Sequence, residues 1–165
     1  MSDILTTSTK AEKRALQLAT FLMEDEGLQD YMMTDVEGAP QLFWTSAQVP
    51  AITALMNSYK GAIIPWHPTL EPVFTDGNGG ETIMWVRCPI VVAVHSILGA
   101  DAMPACHRLA TAVLRRGQML AGDLQYQGDP PVVDYVGTVD LSTLGENLPK
   151  VLAQMIQFSF KHYNR

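Results

Sequence analysis

Cysteine is nearly absent: Cys88 and Cys106 are the two in 165 residues. Two cannot build the disulfide framework of a small secreted domain, and in a reducing compartment both stand as free thiols. Positive charge is scarce as well, with 11 Lys and Arg against 17 Asp and Glu and a formal net charge of −6. Proteins that hold nucleic acid by neutralising phosphates concentrate Lys and Arg, so this balance argues against a tight grip on DNA. No apolar run approaches the roughly 20 residues of a membrane span, and the opening "MSDILTTSTKAEKR" lacks the basic-then-apolar order of a signal peptide. A cytosolic protein without a membrane partner is expected. The chain also lacks G-x-S-x-G, H-E-x-x-H, a phosphate-binding Gly loop and paired carboxylates at a telling spacing.

What the chain has is apolar substance: 47% of its residues are hydrophobic and only 17% are charged, which excludes disorder. A single domain spanning 1–165 follows, large enough to bury a core without staples, with apolar surplus for assembly. Thr9 and Glu12 form a capping box ahead of Ala11, Ala15, Leu18 and Leu22, predicting a first helix that Gly27 closes. From Leu28 to Gln48 the signals conflict, and the expectation is loop with at most a short strand. The stretch "VPAITALMNSYKGAIIPWHP" predicts strands around Ala51 to Met56 and Ala62 to Ile64, closed by Pro65 and Pro68. "TDGNGGE", between "PVF" and "TIMWVRC", supplies the positive-φ residues of a long β-hairpin.

The near-continuous β-branched run Ile90 to Val94 predicts a central strand covered on both faces. Asp101 is then an N-cap for a second main helix, with Met103, Cys106, Ala110, Val113, Gly117 and Leu120 on its apolar face until Gly122. Strands are expected at "LQYQG" and "PVVDYVGTVDL", and a final half-buried one at "MIQFSFKHYNR", where Ile156, Phe158 and Phe160 alternate with polar residues. The fold class is therefore α+β: a mixed, mostly antiparallel sheet backed by two main helices, with a long β-hairpin.

The stretch "VHSILGADAMPACH" invites a chemical reading because His95, Cys106 and His107 fall close together, with Cys88 upstream. The spacings oppose a metal site. Cys106 and His107 are helical neighbours about 100° apart, and Cys88 and His95, seven apart on a strand, point to opposite faces. A Cys–His nucleophile pair remains conceivable because Cys106 lies early in a helix, but a cysteine sharing a stripe with Met103, Ala110 and Val113 reads first as core. His95, at a strand end, reads as a hydrogen-bonded or interface histidine. "GNGG" opens no helix and so has no scaffold for a phosphate. No cofactor and no metal are expected, and function is sought in shape and assembly.

Taken in order, the first helix, the strands, the long hairpin, "PIVVAVHS", "DAMPACHRLATAVLRRGQMLAGD" and the late strand "MIQFSFKHYN" resemble the tail terminator (tail completion) proteins of long-tailed bacteriophages. The resemblance runs from about Thr9 to Asn164 and rests on order and texture; the segment 28–48 matches nothing in it. It implies a non-enzymatic virion protein, assembled in the host cytoplasm, whose hexameric ring caps the tail tube, stops its growth and offers a docking face to the neck. Partners so implied are further copies of the chain, the tail tube protein and a neck or head-completion protein, with DNA only passing through the channel.

Ring subunits need complementary surfaces on opposite sides. Arg108, Thr111, Arg115 and Gln118 form one candidate outer face on the second main helix. The hairpin tip Asp76, Gly77, Asn78, Gly79, Gly80 to Glu81 is a candidate arm onto a neighbour or the tube. An acidic balance suits a channel through which DNA slides. The readings set against this one are a small cytosolic α+β enzyme using a Cys/His pair, a dimeric ligand-binding or regulatory domain, and another phage neck or tail-tube protein.

Overall fold

A computed structural model describes residues 4–75, 82–145 and 148–164. One antiparallel sheet organises them. Its long strands are β3 (Thr82–His95) and β5 (Val151–Asn164), 14 residues each and paired over their whole length, from Thr82 opposite Asn164 to His95 opposite Val151. β4 (Val132–Val139) flanks β5. On the far side of β3 lie β1 (Gly61–Pro65), opposite Ile90 to Val94, and β2 (Thr69–Thr75), opposite Thr82 to Arg87. β1 and β2 are thus two halves of one line along β3. Trp66, His67 and Pro68 interrupt it, in a segment where prolines at 65, 68 and 89 remove ladder donors.

Three helices cover the sheet. α1 (Lys10–Met23) starts with the Thr9 hydroxyl accepting from the Glu12 amide at 3.2 Å, and α3 (Ala102–Gln118) lies beside it on the same face. There Leu18, Leu22, Cys106 and Val113 meet Cys88, Ile90, Val92, Ile156, Phe158 and Phe160. The opposite face receives α2 (Val49–Tyr59), whose Val49, Ile52 and Met56 pack with Met33, Phe43, Ile64, Val91 and Ala93. The run Ile90 to Val94 serves both cores in strict alternation, which is why it is apolar at every position. The α+β class expected from sequence is the observed one.

Where sequence predicted a strand around Ala51 to Met56, the chain is helical. Pro50 sits in the first turn, Val49, Ile52 and Met56 repeat at helical spacing, and Lys60 ends the helix at φ 60°. Gln48 prepares the start: its side-chain oxygen accepts from the amides of Trp44 (2.8 Å) and Thr45 (3.1 Å), and its amide donates to Leu42 O (2.8 Å). The sheet is accordingly backed by three helices.

"LQYQG" is likewise a turn, because the Asp123 side chain accepts from the Gln125 amide and its carbonyl from the Tyr126 amide. Met103 is exposed, since the buried stripe of α3 begins at Ala102. Asp101 holds the N-cap position without a side-chain capping bond; α1 ends at Met23, ahead of Gly27. Segment 28–48 contains two 3₁₀ turns and isolated bridges, of which Met32–Ile63 and Phe43–Trp66 run parallel.

Candidate functional site

Cys106 is fully buried, with its thiol 3.8 Å from the carbonyls of Val92 and Leu152, and burial raises its pKa. Cys88 is buried on the same side of the sheet, and desolvation pushes its thiol up to about 12, against a smaller lowering by Arg14. Neither environment favours a thiolate. His95 Nδ1 accepts from the Ile97 amide at 3.0 Å, and His107 is exposed on α3. The stretch from His95 to His107 is thus a strand handing over to a helix through the 3₁₀ turn Ser96–Asp101. Among the described residues no three of His, Cys, Asp and Glu gather as a metal site would require.

Arg108 and Arg115 are both exposed on α3, two turns apart, with Gln118 exposed beside them and Thr111 half-buried and bonded back to His107 O at 2.8 Å. Arg108 also rims an apolar groove of about 330 Å³ between Tyr31, Tyr59, Leu98 and Leu109. The hairpin tip Asp76, Gly77, Asn78, Gly79 and Gly80 lies outside the described residues; its stems pair up to Thr75 opposite Thr82.

Three surfaces escape motif reading because each joins distant segments. The first is the free margin of the sheet. β4 pairs with β5 on one side only, contains a bulge around Val136 with Gly137 at φ 111°, and leaves Val132, Tyr135 and Val136 each at least half exposed. Its alternating sequence gave the strand but not its edge position.

The second is the part of the sheet that α2 does not cover. There Arg87 Nε donates to Glu71 at 2.6 Å and its Nη1 to Ser159 at 2.9 Å, while Arg87 and Lys161 flank the Trp85 ring at 5.9 and 5.7 Å. These contacts pin the polar side chains flat and leave a ready-made, ordered surface.

The third is a cleft of about 520 Å³ between the start of α1, the Gln125 to Gln127 turn and the end of β5. Lys10, Lys13, Arg14, Lys161 and His162 line it, and among the described residues no carboxylate does. Arg14 is held by Gln17 Oε1 and Gln127 O, both at 2.8 Å, with its guanidinium over Tyr126 and Phe160. Burial, then the charges of Lys10 and Arg14, lower the pKa of His162. The clustering of Lys10, Lys13 and Arg14 in "TKAEKR" was the available sequence signal.

These sites offer extended, ordered surfaces, and their reactive side chains are sequestered or dispersed. No protein-family model matches the chain, and no curated protein matches it.

Proposed function

We propose that the protein is a non-enzymatic, ring-forming virion component of the tail terminator kind, capping a phage tail tube and presenting a docking face to the neck. The observation that carries this reading is β4, an eight-residue margin strand with one flank unpaired and Val132, Tyr135 and Val136 turned outward. Such an edge invites pairing unless it is covered, and covering it with a neighbouring subunit accounts for its apolar side chains. The burial of both thiols supports the non-enzymatic side of the reading.

In this proposal the ring is homo-oligomeric, hexameric by the resemblance. Arg108 and Arg115 face the tail tube or a neck protein, the 76–81 connection reaches a neighbour, and DNA passes without being gripped. The mass of the native particle, measured alone and with tail tube protein, tests it. A closed oligomer, hexameric alone or formed on the tube end, is expected; a monomer at high concentration that ignores tube protein overturns the reading.

A further inference from the structure

The charges at the two ends of α1 run against the helix dipole. Its first four residues include Lys10 and Lys13, followed at once by Arg14, although the amino end of a helix favours negative charge. Its last turn holds no basic residue, and Glu24, Asp25 and Glu26 follow directly, with Asp30 one short turn beyond, although the carboxyl end favours positive charge. Glu12 is the exception at the start, and it faces away, toward His67 in a different groove. This placement weakens the isolated helix, so stability does not account for it. It does make the helix a strong dipole, with a basic cleft at one end and an acidic cap at the other, about 21 Å apart for 14 residues at 1.5 Å each.

We infer that these two ends are the complementary halves of one subunit contact: the cleft formed by Lys10, Lys13, Arg14 and His162 receives the acidic segment Glu24 to Asp30 of the next copy. The inference rests on the ring reading and supplies that ring with a lateral interface.

Three features select this occupant. Lys10, Lys13 and Arg14, three of the chain's 11 Lys and Arg, turn into this one cleft of a protein whose net charge is −6, while the Lys161 ammonium lies over Trp85. The Arg14 fork is already engaged by Gln17 and Gln127, so the cations left to a ligand are the exposed ammonium groups of Lys10 and Lys13. Those are point charges that attract any anion, and the chain itself supplies one in its exposed acidic segment. At the other end, Glu24 pairs with Arg116 at 3.7 Å and Asp25 accepts from the Gly27 amide at 2.8 Å, while Glu26 and Asp30 are exposed and enter no hydrogen bond or ion pair among the described residues. Repeated head to tail, this joining of unlike ends is a heterologous contact that propagates around a ring, whereas the same ends paired reciprocally across a two-fold axis would stop at a dimer, and the mass of the particle separates the two.

Two double variants of the full-length protein test the assignment: Lys10→Glu/Lys13→Glu and Glu26→Lys/Asp30→Lys. Each alone places like charges in the contact, and self-association should weaken by about tenfold or more in sedimentation at low salt. Mixed in equal amounts, they present opposite charges at every junction and should recover assembly in alternating order. The first variant should melt no lower than the wild type, because its new carboxylates suit the helix dipole; this separates lost assembly from lost folding. Variants that both assemble like the wild type overturn this interface and leave the ring reading standing. A wild-type chain that never associates, with or without tube protein, removes both. If Lys10→Glu/Lys13→Glu weakens binding of a single-stranded oligonucleotide while self-association is unchanged, the cleft serves nucleic acid and the inference fails.

Discussion

Replacing Gly117 with alanine sets two effects of opposite sign against each other. In the last turn of α3 the methyl group alone should stabilise the helix by at most about 1 kcal/mol. However, α3 crosses the sheet so closely at this point that a Cβ on residue 117 overlaps the Phe158 ring at Cε1 and Cζ, and stands 3.3 Å from Cδ1. Phe158 is completely buried, so any swing of its ring must displace other core side chains. Overpacking of this kind costs about 1 to 3 kcal/mol, and a fully enclosed ring puts the site at the upper end. The net expectation is about 2 kcal/mol of destabilisation, which for a chain of this length lowers Tm by about 4 to 8 °C. Circular-dichroism melts of Gly117→Ala, Phe158→Leu and the double variant measure it. The two substitutions should couple favourably by about 1 kcal/mol or more, because the smaller side chain frees the volume the methyl needs. An unchanged or raised Tm for Gly117→Ala, or strict additivity in the cycle, would refute the close-approach argument.

Both thiols should resist Ellman's reagent in the native protein and react only on unfolding, because Cys88 and Cys106 are buried with raised pKa values; fast native labelling of either contradicts this. Cys106→Ser should cost about 1 to 3 kcal/mol and, under the proposed tail-capping role, leave assembly intact once folded, as read from melts and from the length of tails made with the variant. By NMR, His162 should titrate below 6.5, and Lys10→Ala should raise its midpoint, because burial and the positive charges of Lys10 and Arg14 favour the neutral ring. Since the folded chain then binds this proton less readily than the unfolded one, the contribution is present above pH 6.5 and is lost as pH falls below it; a midpoint above 6.5 reverses the sign. Deleting Gly77 to Gly80 should preserve the melting transition and, under the proposed tail-capping role, give overlong tails or tails that fail to join heads; normal tails would remove the role proposed for this connection.

Patterns that depend on one element were legible in the sequence. The Thr9 cap, the apolar stripe of α3 from Cys106 to Gly117, the doubly buried run Ile90 to Val94 and the alternation of Ile156, Phe158 and Phe160 are all local patterns set against a core. α2 was misread because "AITALM" is short and apolar with β-branched residues; the T-x-x-Q capping box from Thr45 to Gln48 just before it was legible and went unread. "LQYQG" was misread because alternation cannot distinguish a strand from a turn whose tyrosine lies under an arginine 112 positions earlier. The candidate surfaces follow the same rule. Arg108 and Arg115 could be placed from helix phase, whereas the cleft joining Lys10, Gln127 and His162, and the margin position of β4, arise only when distant segments meet.

The unequal pairing of the strands also sets how the subunit carries force. β3 and β5 are joined at 14 consecutive positions, and their hydrogen bonds lie across the strand direction. Tension drawn along β3 from the 76–81 end therefore loads the whole ladder in shear, so the bonds must fail together. β4 is held to β5 alone, over residues 132–139, with the bulge at Val136 already breaking its register. A pull perpendicular to β4 strains one bond at a time and peels the strand like a zipper. The fold is mechanically anisotropic as a result: stiff along the β3–β5 axis and yielding at its β4 margin. A particle built from it would best withstand tension directed along those two strands, and a neighbour bound over β4 would reinforce its weakest direction.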